Sequence, residues 1–281
     1  MNTRQARRTY AAGTRRTRSA RRTAPWLAAA ATLALAAACG SGDGTETDPE
    51  GGAHGGGDQT LTVFAAASLT EPMDDLLEMF AEDHPDVTVE PAVYDGSSTL
   101  VTQLSEGAQA DVLATANTST MDDLVAAFPE QGYEPELFAT NTLVIAVPAG
   151  NPLGIGGLTD LNDASFVVCA PEVPCGAAAT ELFELAGFEG EPISLEQNVT
   201  ATAERVASGE VDAGLVYATD VASRADDLEA VVPDAAAEVV NEYPIVALDG
   251  SELGQELVDL VLSEDGLAVL GDYGFGAPET Q

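Results

Sequence analysis

Lysine is absent from this 281-residue chain, and arginine is confined almost entirely to its start. Of the ten basic residues, eight fall before residue 38, which leaves only Arg205 and Arg224 against 47 acids in the remainder. Nucleic-acid binding needs clustered Lys or Arg on phosphates, so the composition excludes that class of partner. The acidic excess also makes the surface self-repelling in dilute buffer. At 1 M salt the Debye length falls to about 3 Å and that repulsion is screened, so the chain reads as adapted to high salt. Aromatics are scarce at 5%, and the single Trp, Trp26, lies near the N-terminus. Ala, Val and Leu must therefore carry the core. Histidine is reduced to His54 and His84, and cysteine to Cys39, Cys169 and Cys175.

Long apolar runs are missing as well. The most apolar stretch, residues 26–38, is shorter than the roughly 20 residues that span a bilayer. It follows Arg4, Arg7, Arg8, Arg15, Arg16, Arg18, Arg21 and Arg22 and ends in Ala36-Ala37-Ala38-Cys39. A basic stretch, a short apolar stretch and small residues before a cut site make an export signal over residues 1–38. The trio before Cys39 fits a lipoprotein cleavage site, although Ala36 stands where Leu is usual. Cleavage there would leave Cys39 lipidated, with the protein anchored on the outer face of the cytoplasmic membrane. The alternative is an ordinary secretory signal with an incidental Cys. The arginine pairs leave Sec and twin-arginine export both open. Residues 39–58 are rich in Gly, Ser, Asp and Glu and have too little apolar surface to offset the entropy of ordering. They read as a flexible linker, with His54 a solvated linker residue.

From residue 59 onward, β-type runs alternate with helical patterns. Strands are expected at 61–66, 87–94, 111–116, 143–147, 165–170, 213–217 and 245–248, with helices at 71–83, 99–106, 120–128, 177–185, 201–208 and 252–262. The alternation predicts an α/β fold of parallel-type sheets flanked by helices, with ligands bound beyond the carboxyl ends of the strands. Two lobes suit the length better than one continuous sheet. Residues 139–147 and 239–248 are candidate crossovers, which places 59–141 plus 246–281 in one lobe and 142–245 in the other.

Four junctions share the order strand, small or hydroxyl residues, helix start. They are Ala66-Ala67-Ser68-Leu69-Thr70, Asp95-Gly96-Ser97-Ser98-Thr99, Val173-Pro174-Cys175-Gly176 and Asn198-Val199-Thr200. Each helix start carries about four unpaired N–H donors and a partial positive charge near half a unit. Several together would hold an anion without a basic side chain, the only route open to a chain this poor in Lys and Arg. A lone Ser at such a place is ordinarily a helix cap. Cys169 and Cys175 read as a disulfide in an exported chain. Two free buried thiols or half a metal site are the alternatives, though two sulfurs without a nearby His make a poor zinc site.

Competing enzymatic readings have weaker support. No G-x-S-x-G elbow surrounds Ser68, so a secreted hydrolase is a remote alternative. His84 is expected to be exposed and far from that turn. Cys169 and Cys175 lack the C-x-x-C spacing of a dithiol oxidoreductase.

Taken in order, Phe64-Ala65-Ala66-Ala67-Ser68-Leu69-Thr70, Gly96-Ser97-Ser98-Thr99-Leu100 followed by Ala110-Asp111-Val112, Val173-Pro174-Cys175-Gly176, Gly214-Leu215-Val216-Tyr217 with Asp220, and Tyr273-Gly274-Phe275 resemble the periplasmic molybdate-binding proteins. The resemblance implies a two-lobed type II periplasmic-binding-protein fold with a hinge. It also implies molybdate or tungstate as ligand, no cofactor and no bound metal cation, an ABC transporter permease as partner, and a monomer. It assigns oxyanion contacts to Ser68, Ser97, Cys175, Val199 and Tyr217, with Ser98 as the alternative to Ser97. At Cys175, where the family usually has Ala, only a backbone N–H is implied, which leaves the side chain free to bridge to Cys169. Sulfate or phosphate remains a second ligand class. Hydrogenphosphate would reward an acceptor carboxylate, and Asp95, the acid adjacent to these turns, is expected to point to solvent.

Overall fold

A computed structural model describes residues 59–278. The expected export signal, Cys39 and the linker with His54 lie outside the described residues. The elements run β1 (Gln59–Leu61), β2 (Val63–Ala66), α1 (Thr70–Asp83), β3 (Val87–Val89), β4 (Val93–Asp95), α2 (Ser97–Ser105), β5 (Val112–Ala114), α3 (Thr118–Ala127), β6 (Glu136–Pro148), β7 (Phe166–Cys169), α4 (Pro174–Ala186), β8 (Ser194–Glu196), α5 (Val199–Ala207), β9 (Ala213–Tyr217), α6 (Ala218–Ala222), β10 (Leu228–Val231), β11 (Val240–Ala247), α7 (Glu252–Leu262) and α8 (Glu264–Asp272).

Strands β2, β5, β7 and β9 are buried along their whole length, as uninterrupted apolar runs covered on both faces should be. Helix α1 turns Met73, Leu76, Leu77 and Phe80 to the core, a helical spacing that leaves its acids in water. The main sheet has the order β4-β2-β5-β11-β6-β9-β7-β8, with β10 paired to β6. At one end β4, β2 and β5 are parallel, and at the other β9, β7 and β8 are parallel.

The centre departs from the all-parallel expectation. β11 runs antiparallel to both β5 and β6, and β6 runs antiparallel to β9 and β10. Both central strands change partner along their length. β6 pairs with β11 as far as Thr142 and with β9 from Leu143, while β11 passes from β6 to β5 at Ile245. Alternation of strand and helix in sequence cannot reveal such shared strands.

The single strand expected over 87–94 is two. Pro91 interrupts it, since proline cannot donate to a ladder, and the halves join different partners: β3 pairs with β1 and β4 with β2. Pro244 has a related effect inside β11, where the register slips between Tyr243 and Pro244. Four elements had no clear sequence signal, among them the five-residue α6. β8 and β10 are only three and four residues long, and α8 contains Gly266. A side chain on Gly266 would collide with the carbonyls of Leu260 and Val261, so the glycine that weakens the helical signal is what lets α8 fold back on α7.

Candidate functional site

The carboxyl ends of the two parallel sets face a common cavity of about 20 Å³. A single water needs about 10–15 Å³, so the space suits one small guest. Its lining includes Ser68, Ser97, Cys175, Val199 and Tyr217, with Asp95 and Asn198 in the same wall. All five residues singled out from sequence as anion contacts are thus brought together. Ser98 is not. It is half-buried outside the lining, and its hydroxyl donates to the Glu172 carbonyl at 2.6 Å.

Each residue arrives by a definite local route. Ser68 lies on a short 3-10 turn leaving β2, and its Oγ is 3.0 Å from the Tyr243 hydroxyl. Ser97 opens α2 and is buried, and its Oγ accepts from the Ala116 N–H at 3.0 Å. Gly96 precedes it because any Cβ there would strike the Gln197 carbonyl oxygen. Cys175 sits in the first turn of α4 behind Pro174, and it is bonded to Cys169 with Cα atoms 5.7 Å apart. The disulfide ties the end of β7 to the start of that helix, and Gly176 allows the close approach, since a Cβ there would overlap the Ala170 carbonyl. Val199 opens α5, capped by Asn198, whose Oδ1 accepts from Ala201 N–H at 2.9 Å. Tyr217 ends β9 and is 1% exposed.

α2, α4 and α5 therefore all begin at the cavity. Their first N–H groups lack intrahelical partners, and their dipoles favour a negative guest. Among the described residues no basic side chain lines the cavity. Arg205 is engaged elsewhere, 2.6 Å from Glu196 and 3.3 Å from Glu210. Among the described residues there is also no cluster of three or more His, Cys, Asp or Glu able to hold a metal ion.

Two expectations need correction. Asp95 does not point to solvent. It lines the cavity, and its Oδ1 accepts from Gly96 N–H at 2.7 Å and Asn198 Nδ2 at 3.0 Å. His84 is partly buried rather than exposed, stacked on Phe80 and 3.1 Å from Glu256. It does cap the far end of the 14-residue α1, about 21 Å of helix from the Ser68 turn, so it has no part in the site.

Sequence reasoning missed a supporting layer. Asn241 of β11 donates from Nδ2 to the Ala116 carbonyl at 2.9 Å and to the Tyr217 hydroxyl at 3.0 Å. Its Oδ1 is buried and has no hydrogen-bond partner among the described residues, an arrangement that typically costs about 1–3 kcal/mol. Asp220 accepts from Tyr217 N–H at 3.0 Å. Burial pushes the Asp220 carboxyl up to about 7, opposed by that N–H and by Arg224 and assisted by Glu71. Burial, then the nearby Tyr243 and Asp220, push the Tyr217 phenol well up, so it remains a neutral donor. These partners lie far apart in sequence, and no local pattern announces them.

A family model described as bacterial extracellular solute-binding protein matches residues 61–276. The chain belongs to this family. Its members are solute-binding proteins rather than enzymes. Among relatives of this extracellular solute-binding protein, the molybdate-binding protein ModA of Mycobacterium tuberculosis is 39% identical over 257 residues, which is 90% of this chain and 97% of that one. The periplasmic molybdate-binding protein of Azotobacter vinelandii has a similar structure, with a TM-score of 0.67 at 17% identity, covering 78% of this chain and 100% of that one. The sulfate-binding protein SubI of Mycobacterium tuberculosis also gives 0.67, at 14% identity, covering 79% and 88%. Structural likeness at such identities establishes the fold and leaves the solute to the cavity chemistry.

Proposed function

We propose that this solute-binding protein captures a tetrahedral oxyanion, molybdate or tungstate, outside the cytoplasmic membrane and passes it to an ABC transporter permease. The observation that carries the reading is the convergence of Ser68, Ser97, Cys175, Val199 and Tyr217 on one small cavity with no basic side chain in its lining. In this reading Ser68 and Ser97 donate hydroxyl and backbone hydrogens, Cys175 and Val199 donate backbone N–H, and Tyr217 donates its phenol. The 39% identity to a molybdate-binding protein supports molybdate over other anions.

The same reading makes the chain a monomer of two lobes, 59–141 plus 246–281 and 142–245, hinged where the central strands change partner, and tethered through lipid on Cys39. Calorimetric titration at high salt with molybdate, tungstate, sulfate and phosphate tests the ligand. Heat from molybdate and tungstate is expected. A response to sulfate alone would favour the sulfate class, and no response to molybdate at millimolar concentration would refute the assignment.

A further inference from the structure

We infer that Asn241 is a positioning residue that makes the Tyr217 hydroxyl a donor rather than an acceptor, with Ala116 as the fixed point, so that its hydrogen can serve a guest in the cavity. The inference rests on the oxyanion reading and adds how the site sets the direction of its hydrogens.

The orientation of the Asn241 side chain follows from chemistry. One terminal atom lies 2.9 Å from the Ala116 carbonyl oxygen. A carbonyl only accepts, so that atom is the amide nitrogen. The same nitrogen lies 3.0 Å from the Tyr217 hydroxyl oxygen. Its two hydrogens serve the two contacts, and the Tyr217 oxygen is the acceptor in the second. The single phenolic hydrogen is then left for the neighbouring Tyr243 hydroxyl or for a guest oxygen in the cavity that Tyr217 lines.

Ala116 does the same for Ser97 with its other backbone group. Its N–H donates to Ser97 Oγ at 3.0 Å, so the Ser97 hydrogen is also left over, and Ser97 also lines the cavity. One residue thus fixes a hydroxyl from α2 directly and a hydroxyl from β9 through Asn241. The unpartnered Oδ1 supports this assignment. Asn241 is 5% exposed and surrounded by protein. A residue present only to fill space would be apolar there, whereas the amide is retained with one end unsatisfied. The nitrogen end is the part the site uses. A guest oxygen that only accepts matches both hydroxyls, while a guest oxygen carrying its own proton meets two donors.

The test is a double-mutant cycle read by molybdate and tungstate titration of the wild type, Asn241→Ala, Tyr217→Phe and the double variant, with folding checked by circular dichroism. Asn241→Ala is expected to weaken binding about tenfold when Tyr217 is present and to leave affinity unchanged in the Tyr217→Phe background. Equal losses in both backgrounds would mean that Asn241 is merely structural and would overturn the inference. Asn241→Asp provides a second measurement if the Ala variant does not fold. A carboxylate there accepts from Tyr217 and draws its hydrogen out of the cavity, so affinity should fall to that of Tyr217→Phe; wild-type affinity in this variant would also overturn the inference. Failure of the wild type to bind either anion overturns the oxyanion reading itself, whereas binding with an additive cycle overturns this inference alone.

Discussion

Asp220 is the residue whose chemistry is most out of the ordinary. Its carboxyl is raised from 3.8 to about 7, chiefly by burial. The native state therefore holds a proton that the unfolded chain releases between those values, and stability falls as pH rises through that window. Asp220→Asn keeps an acceptor for Tyr217 N–H and removes the titration. Its stability advantage over the wild type should grow from about pH 4 to about pH 7 and then level off, reaching at most about 4 kcal/mol. Thermal melts across pH check this, and a difference independent of pH would refute it. At this scale Ser68, Ser97, Cys175 and Val199 were legible because they lie in strand-to-helix junctions, whereas Tyr217, the last residue of β9, was reached through the family resemblance. Which of Ser97 and Ser98 faces inward was not legible, since only the start of α2 decides it. Asn241 lies 125 residues from Ala116, and Asn198 lies 103 from Asp95. No periodicity encodes partners at such separations.

Among the elements, the parallel strands β2, β5, β7 and β9 were readable from their apolar runs, whereas the short edge strand β8 and the antiparallel centre were not. β6 and β11 look like ordinary strands in sequence, and only their pairing shows that each serves both ends. The turns between elements carry two expectations. Gly96→Ala would push a methyl group into the Gln197 carbonyl, between the turn after β4 and the turn after β8. Anion affinity should drop at least tenfold while the melting temperature changes by only a few degrees, as measured by titration and calorimetry on the same sample. Reduction of Cys169–Cys175, which closes a loop six residues in separation, should lower stability by about 2 kcal/mol. Denaturant unfolding with and without reductant checks it, and the larger loss should be in ligand affinity, because the bridge holds the first turn of α4 in place.

The whole molecule is dominated by charge. With two basic residues against 47 acids beyond residue 38, the native state should be weaker in dilute buffer and recover as salt is added. Melting temperature should rise steadily between 0.05 and 1 M salt, on the scale over which the Debye length shrinks from more than about 10 Å to about 3 Å. A flat profile would remove the case for salt adaptation. The same field opposes an approaching dianion, so association should quicken with salt, the reverse of ordinary electrostatic steering.

The contacts beside the cavity bear on time as well as on strength. Asp95 is bonded to Asn198, Ser98 to the Glu172 carbonyl, and Gly96 abuts Gln197, so the two ends of the sheet are stitched together directly across the opening. Parting the two ends breaks these contacts together with the hydrogen bonds that a guest makes to both ends, so its residence should lengthen with the number of donors it engages. A docking partner that parts those contacts would shorten that residence.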